Sequence, residues 1–82
     1  MDRNEKNTIK ITYSPLWKQL IDRKMTKSEL RNRTHIAAST FTKMNNDQMV
    51  SMDVIARICC ELQCTFDEVI QIDMKKGANS NP

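Results

Sequence analysis

Apolar residues recur along most of the chain at spacings of three and four, which is the period of a helix with one buried face. The first such stretch begins at Ser14, a residue type that caps helices. Pro15 follows in the first turn, where its missing N–H does no harm. The apolar stripe of this stretch consists of Leu16, Trp17, Leu20 and Ile21. We predict a first helix here, with Trp17 in the core rather than on a binding surface.

A second helix is predicted to begin at Thr26, because Glu29 stands three residues later and the pair forms a capping box. The apolar pattern then breaks at Thr34-His35-Ile36, and a third helix is predicted over residues 37–45 or close to them. The residues predicted to share its buried face are Ala37, Phe41 and Met44. Residues 26–44 are therefore interpreted as two short helices joined by a tight turn.

Two further helices are predicted after a polar loop that covers residues 45–48. Ser51 is placed to cap a fourth helix that continues to about Leu62. The residues of that helix expected to pack inward are Val54, Ile55, Ile58, Cys59 and Leu62. A second capping box, Thr65 with Glu68, predicts a short fifth helix. The methionines assigned to the core or to a helix junction are Met25, Met44 and Met52.

Both ends of this helical region have the pattern of a strand. Ile9, Ile11 and Tyr13 alternate with polar residues, which is the period of a half-buried strand. A lone strand needs a partner, and the other candidate is residues 69–74. We predict that the two segments pair, and the sequence leaves open whether they pair within one chain or across a dimer.

The residues around the tight turn resemble the Cro/repressor-type helix-turn-helix family (XRE, lambda-repressor-like). The positions that match its packing residues are Leu30, Thr34, Ile36, Phe41 and Met44. Segments 14–17, 50–55 and 66–70 match the first, fourth and fifth helices of that family. The resemblance implies an all-α, five-helix lambda-repressor-like DNA-binding domain, to which the terminal segments add a small two-stranded sheet. Two residues depart from the family pattern: His35 replaces the usual glycine of the turn, and Arg31 the usual small residue of the preceding helix.

The size and composition of the chain fit one small globular domain. We expect this domain to cover residues 9–74, between a flexible N-terminus (1–8) and a disordered tail (75–82). The chain has 82 residues, of which 39% are hydrophobic and 28% charged, so its core is only just large enough for stability. The sequence contains no apolar run near the roughly 20 residues that span a bilayer, and no apolar stretch of a secretory signal. We therefore expect a cytoplasmic protein.

The net charge of +3 conceals a division along the chain. Residues 14–46 hold seven basic and two acidic residues, a net +5, whereas residues 47–73 hold one basic and six acidic residues, a net −5. A polyanion would be attracted to one side of such a molecule and repelled by the other. The division favours a nucleic-acid ligand, although two solvated faces of opposite charge would give the same count.

The cysteines and the single histidine do not have the spacing of a metal site or a catalytic site. Cys59 and Cys60 are adjacent, so they diverge by about 100° around a helix, and no Cys-x-x-Cys pair is present. We expect Cys59 and Cys64 to be buried in the reduced form and Cys60 to be partly exposed. His35 has no partner for metal binding or catalysis, and the chain lacks a glycine-rich phosphate loop. We expect no metal, no cofactor, no small-molecule ligand and no enzymatic activity.

The resemblance implies double-stranded DNA as the ligand, with the third helix in the major groove and the second crossing the backbone. Transferred position by position, the residues facing the bases are Ala38, Ser39, Thr42 and Lys43. The candidate phosphate contacts are Lys27, Arg31, Thr40, Asn45 and Asn46. Lys43 offers donors to guanine, whereas Ala38 can only contact a thymine methyl group. Direct readout would then be thin, and DNA shape would supply more of the specificity.

One such helix contacts only a few base pairs, so the resemblance implies a homodimer on an inverted repeat with half-sites about 34 Å apart. The paired terminal strands or the fifth helix would form its interface. The chain would be a sequence-specific transcriptional regulator, best described as a small repressor, and phage, antitoxin and chromosomal roles are all compatible. The alternative is a protein-interaction adaptor or antitoxin-like partner of the same fold, because Ala37, Ala38 and Ser39 would let a partner helix approach closely.

Overall fold

The structure, a computed structural model, describes residues 9–73, and four α-helices lie between two short strands in that range. The elements are β1 (Ile11–Thr12), α1 (Ser14–Arg23), α2 (Lys27–Thr34), α3 (Ala38–Asn45), α4 (Met52–Leu62), a 3₁₀ turn (Phe66–Glu68) and β2 (Gln71–Ile72). None of these helices is long and apolar enough to cross a lipid bilayer. The expected flexible N-terminus (1–8), the disordered tail (75–82) and Met74 lie outside the described residues.

The prediction that Ser14 caps α1 is wrong. Tyr13 occupies the N-cap position, and the Ser14 hydroxyl lies 2.9 Å from the hydroxyl of Thr12 instead. Contacts distant in sequence fix Tyr13: its N–H donates to Asp47 Oδ1 at 3.3 Å, and its phenol donates to the Gln48 carbonyl at 2.7 Å. Because these bonds hold Tyr13 against the loop after α3, the helix begins at Ser14 without a capping side chain.

The predicted caps of α2 and α4 are confirmed. Thr26 Oγ1 accepts from the Glu29 N–H at 3.0 Å, and the Glu29 carboxylate accepts from the Thr26 N–H at 2.8 Å. The Ser51 hydroxyl accepts from the Val54 N–H at 3.3 Å. In each case a side chain satisfies a backbone donor that the first turn of a helix leaves free.

The predicted fifth helix is a single 3₁₀ turn, so the described fold has four α-helices rather than five. The Glu68 carboxylate accepts from the Thr65 N–H at 3.0 Å, as the capping box requires. The Val69 N–H then bonds to the Phe66 carbonyl at 2.9 Å, which is 3₁₀ spacing. Val69 is fully buried, and its burial draws the chain into the core and toward β2 before an α-helix can develop.

The two terminal strands pair antiparallel within one chain, with Ile11 opposite Ile72 and Thr12 opposite Gln71. The sequence left open whether the pairing would be internal, and in the structure it is. Each strand has only two residues, fewer than predicted from segments 9–13 and 69–74. The strands are short because Tyr13 belongs to the cap of α1 and Val69 to the end of the 3₁₀ turn.

The core lies between the inward faces of the four helices and the sheet. Its buried members are Ile11, Tyr13, Leu16, Leu20, Leu30, Ile36, Phe41, Met44, Ile55, Ile58, Cys59, Leu62 and Val69. Trp17, Met25, Val54 and Cys64 are half-buried and pack against this cluster. All five packing residues that carried the family resemblance are buried, since Thr34 joins the four of them named in the core.

Three predicted core residues are exposed instead. Ile21 is 74% exposed because it lies on the solvent margin of the α1 stripe, one turn after the half-buried Trp17. Met52 is 61% exposed because it is the first residue of α4, at the edge of the core. Ala37 is exposed because it caps α3 from outside the helix.

The cysteines of the described chain form no metal site. Cys59 is buried as predicted, Cys64 is only half-buried and Cys60 is exposed, and all three are free thiols. Burial raises the pKa of Cys59 to about 11, which keeps its thiol protonated at neutral pH and disfavours metal binding. Residues 9–73 contain no cluster of three or more side chains placed to hold a metal ion.

Candidate nucleic-acid interface

The turn between α2 and α3 depends on a histidine in the left-handed region. His35 has φ 57° and ψ 36°, and its N–H bonds to the Arg31 carbonyl at the end of α2. Histidine is among the non-glycine types found there, so the predicted tight turn forms without glycine. In this orientation α3 leaves the turn with Phe41 and Met44 packed in the core, and its opposite face is exposed.

Arg57 of α4 contacts the backbone of this turn. Arg57 Nη1 lies 3.5 Å from the Thr34 carbonyl and 3.4 Å from the His35 carbonyl, where the C-terminal end of α2 carries partial negative charge. Its Nε also donates to Asp53 at 3.0 Å. Sequence reasoning counted Arg57 only in the charge balance. Arg57 is the single basic residue of the acidic segment 47–73, and this was the available signal for a structural role.

The four residues predicted to face DNA bases, Ala38, Ser39, Thr42 and Lys43, are all exposed on α3. The Thr42 hydroxyl donates to the Ala38 carbonyl at 3.2 Å, which directs its lone pairs outward. The Lys43 ammonium forms no hydrogen bond or ion pair with any residue from 9 to 73. The helix contains no acidic residue. This face is therefore small and polar, and its charge is positive.

Lys27, the first residue of α2, lies against the last residue of α3. Its ammonium donates to Asn45 Oδ1 at 2.7 Å and lies 4.0 Å from the centroid of the Trp17 ring. A cation held over an indole face is stabilised by the ring's electrons. The two predicted phosphate contacts Lys27 and Asn45 are thus brought together beside the exposed face of α3.

Trp17 has a role that the sequence analysis missed. Its ring packs against Phe41 with 6.4 Å between centroids, which is the predicted core contact. The half-buried indole also forms the platform under the Lys27 ammonium. Nothing in the spacing of Trp17 and Lys27 along the chain indicates this contact, because it arises only when α1 packs beside α2 and α3.

The other predicted phosphate contacts, Asn46, Thr40 and Arg31, form no side-chain hydrogen bond with Lys27 or Asn45 in the described chain. The Asn46 amide donates to the Thr42 carbonyl at 3.1 Å, so Asn46 lies at the end of the exposed face. Thr40 and Arg31 are half-buried, and their side chains form no hydrogen bond within residues 9–73. In the described chain, Lys27 is therefore hydrogen-bonded to Asn45, which Asn46 follows directly, whereas no side-chain hydrogen bond joins Thr40 or Arg31 to these residues.

Ion pairs with acids of α4 change where positive charge is available around α2 and α3. Arg33 lies 3.4 Å from Glu61, and Arg57 lies 3.0 Å from Asp53, so both arginines are partly neutralised by acids of α4. Lys27 and Lys43 pair with no carboxylate in the described chain. Positive charge that no carboxylate neutralises therefore lies at the start of α2 and on the exposed face of α3, and Arg31 of α2 also pairs with no carboxylate of residues 9–73.

Comparison with known proteins agrees with this geometry. The family model for the Cro/C1-type HTH DNA-binding domain matches residues 15–75, a range that contains α2, the turn and α3. The crystal structure of the transcriptional regulator VanUg, Form II, is similar to the chain with a TM-score of 0.77. The two are 41% identical over 78% of this chain and 85% of that one. No curated protein matches the chain.

Proposed function

The chain belongs to the Cro/C1-type helix-turn-helix DNA-binding family, and on that basis we propose that it is a transcriptional repressor that reads the major groove with α3. The observation that carries this proposal is the exposed face of α3, which presents small and polar side chains, one lysine and no carboxylate. A helix with such a face can lie close to base edges in a groove about 12 Å wide. The unpaired lysines beside it are complementary to the phosphate backbone.

The proposed base contacts follow from the donors and acceptors of the exposed face. Lys43 donates to guanine O6 and N7, and Ala38 packs on a thymine methyl group. Because the Thr42 hydroxyl already donates to the Ala38 carbonyl, it accepts from a base donor such as adenine N6 or cytosine N4. Ser39 has no such constraint and can donate or accept.

The proposed phosphate contacts are Lys27, Arg31, Thr40, Asn45 and Asn46, and the hydrogen bond between Lys27 and Asn45 supports two of these proposals. Lys27 occupies the Asn45 oxygen, so the Asn45 amide N–H groups are left to face a phosphate. The Lys27 ammonium keeps further donors for the same purpose. Ala37 offers no capping side chain, so the first N–H groups of α3 are also open to an anion.

We propose further that the regulator binds as a homodimer to an inverted repeat. One α3 can reach only a few base pairs, which is too short a site for selective binding in a genome. Two copies related by a two-fold axis would read half-sites about 34 Å apart.

The second candidate function is a protein-interaction adaptor that uses the same helix. Ala37, Ala38 and Ser39 are exposed and small, which would let a partner helix pack closely at the start of α3. The unpaired lysines around α3 favour DNA over this alternative, because an apolar helix contact does not require them.

Two alanine substitutions separate the candidates once a preferred site has been selected from a random DNA library. Lys43→Ala should weaken binding by about 1–3 kcal/mol at particular base positions, because it removes a base contact. Lys27→Ala should weaken binding to every sequence and reduce the slope of log K against log salt by about one, because it removes a phosphate contact. Both effects are measured by fluorescence anisotropy with labelled duplexes.

The matched control is Lys18→Ala, which removes an exposed lysine of α1 that lines a groove beside Asp67 and Glu68, away from α3. We expect this variant to bind DNA within a factor of about two of the parent chain. If Lys43→Ala and Lys27→Ala behave like the control on DNA and instead abolish binding to a protein partner, the adaptor function is correct.

A further inference from the structure

The C-terminal end of α4 brings two cysteines together. Gln63 follows the helix with φ 52° and ψ 55°, in the left-handed region, so the chain turns back on itself there. The Cys64 N–H then donates to the Cys59 carbonyl at 3.0 Å. The Gln63 N–H donates to the Cys60 carbonyl at 3.3 Å. These two hydrogen bonds define a Schellman motif, a helix end in which the side chains at the positions of Cys59 and Cys64 are commonly in contact.

The thiols of Cys59 and Cys64 interact, and both are reduced. Cys59 belongs to the buried core, and the half-buried Cys64 packs against that core. Burial raises the pKa of the Cys59 thiol, the charge and a hydrogen bond of Cys64 raise it further, and the value reaches about 11. A disulfide requires two Cα atoms within about 7 Å of each other, which the direct backbone hydrogen bond between these residues provides.

Cys64 has the surroundings of the more reactive thiol of this pair. Gln19 of α1 donates from its amide nitrogen to the Cys64 sulfur at 3.7 Å and to the Glu68 carbonyl at 3.1 Å. Arg23 fixes the orientation of this amide, because its Nε donates to Gln19 Oε1 at 3.1 Å and so requires the oxygen on that side. A hydrogen bond donated to sulfur stabilises the thiolate, which is the form that reacts with oxidants.

Cys60 lies apart from this pair, although it is adjacent to Cys59 in sequence. It lines a groove between α2 and α4 together with Arg33 and Arg57. Cys64 instead contacts α1. Consecutive residues of a helix diverge by about 100°, so Cys59 is directed toward Cys64 while Cys60 is directed toward α2. The structure therefore distinguishes one pairing, Cys59 with Cys64, from the other two that three cysteines allow.

We propose that Cys59 and Cys64 form a dithiol that hydrogen peroxide oxidises reversibly to an intramolecular disulfide. The inference goes beyond the proposed function and does not depend on it. Cys64 is the attacking residue, because it is partly accessible to solvent and its sulfur accepts the Gln19 hydrogen bond. Cys59 is the resolving residue, because it is shielded from the oxidant and lies beside Cys64.

The oxidation takes two steps, and each step releases one water. The Cys64 thiolate attacks one oxygen of the peroxide, the O–O bond breaks, and the departing hydroxide takes up the proton that Cys64 lost. The product is a sulfenic acid at Cys64. The Cys59 thiol then gives up its proton and attacks the Cys64 sulfur, the S–O bond breaks, and the departing hydroxide takes up that proton. In all, two thiols lose two electrons and two protons, and one peroxide becomes two waters.

The count of free thiols in the full chain tests this proposal. The reduced chain is treated with hydrogen peroxide, unfolded, alkylated with N-ethylmaleimide and examined by mass spectrometry. We expect the count to fall from three thiols to one, with the remaining thiol at Cys60 and a bridge from Cys59 to Cys64. Dithiothreitol should restore all three thiols. Alkylation counts thiols alone, so oxidation of methionines does not affect the result.

The matched cysteine variants separate the three thiols. Cys60→Ser should form the bridge at a rate within a factor of about two of the parent rate, because Cys60 takes no part in it. Cys59→Ser should instead accumulate the sulfenic acid of Cys64, which dimedone traps, because the resolving thiol is absent. Far-UV circular dichroism shows whether each variant is folded.

A second pair of variants tests the role of the Gln19 amide. Gln19→Leu should slow the loss of thiols at least about threefold, because the Cys64 sulfur loses its hydrogen-bond donor. The control is Gln71→Leu, which alters an exposed glutamine of β2 that forms no hydrogen bond with Cys64 in the described chain and should leave the rate unchanged. Equal rates in both variants would overturn the assignment of Cys64 as the attacking residue.

The pairing itself is judged against the unfolded chain. In guanidinium chloride the three cysteines are free to form a mixture of bridges, whereas the folded chain should form one. A folded chain that yields the same mixture, or a bridge that includes Cys60, would overturn the proposal. So would a folded chain that keeps all three thiols at a peroxide concentration that oxidises free cysteine.

Discussion

His35 illustrates how a single residue can fix the geometry of the interface at an energetic cost. Its φ of 57° lies in the left-handed region, where an L-residue with a Cβ is disfavoured by about 1–2 kcal/mol. Only its backbone takes part in the hydrogen bonds described above, and its side chain is exposed. Within residues 9–73, no hydrogen bond or ion pair of the His35 side chain offsets this strain.

His35→Gly should raise the free energy of unfolding by about 0.5–1 kcal/mol, because glycine adopts this conformation without strain but loses more freedom on folding. Urea denaturation followed by Trp17 fluorescence measures the change. His35→Ala serves as the control, since alanine keeps the strained Cβ and should give no gain. A glycine variant no more stable than the alanine variant would contradict the strain argument.

Two buried residues should make the free energy of unfolding decrease at alkaline pH. Burial raises the pKa of the Tyr13 phenol above 10.0, and it raises the pKa of the Cys59 thiol from 9.0 to about 11. The folded state therefore holds these protons more tightly than the unfolded state does. The resulting stabilisation is complete below about pH 9 and is lost as the pH rises through the folded pKa values.

The free energy of unfolding should accordingly fall between about pH 9 and pH 11, as measured by urea titrations under reducing conditions. Cys59→Ala should reduce the steepness of this fall, because the buried thiol no longer titrates. Cys60→Ala, which removes an exposed thiol, should leave the steepness unchanged. An equal reduction in both variants would show that burial of Cys59 is not the cause.

Residue-level prediction from the sequence succeeded where the cause is local and failed where it is distant. A turn was predicted at Thr34-His35-Ile36 because the apolar pattern breaks there, and the turn forms at His35. Ser14 was predicted as a cap from residue type alone. The bonds from Tyr13 to Asp47 and Gln48, more than 30 residues away, overrode that preference, and no local pattern carries them.

At the scale of elements, the same capping motif begins a full α-helix at one position and only a single 3₁₀ turn at another. Thr26 with Glu29 begins α2, which continues for eight residues, whereas Thr65 with Glu68 begins a 3₁₀ turn of three. A cap determines where a helix can begin, but burial of the residues after it determines how far it continues. Helix starts could therefore be predicted from the sequence, and the length of the last element could not.

Thr26→Ala should lower the free energy of unfolding by about 1 kcal/mol, because the Glu29 N–H loses its acceptor. Chemical denaturation in guanidinium chloride measures the loss. Ser28→Ala is the control, since Ser28 is an exposed residue of the same turn with no side-chain hydrogen bond in the described chain. We expect it to change stability by less than about 0.5 kcal/mol. Equal losses in both variants would contradict a specific role for the capping box.

At the scale of the whole molecule, packing determines which basic residues can act on a ligand. The sequence showed a basic first half and an acidic second half. Only the structure shows that acids of α4 pair with Arg33 and Arg57, while Lys27 is held between Trp17 and Asn45. The sequence alone could assign candidate DNA contacts by resemblance, but it could not tell which of them would lie together.

The central claim is that the exposed face of α3 and the neighbouring Lys27 contact the DNA backbone. It is tested most directly by titrating labelled random duplex DNA with the protein at about 50 mM and about 200 mM salt. Random DNA is sufficient because phosphate contacts do not depend on sequence. We expect micromolar binding at the lower salt that weakens more than about tenfold at the higher salt, as cations are released from the DNA. Absence of binding at the lower salt, or binding that salt does not weaken, would contradict the claim.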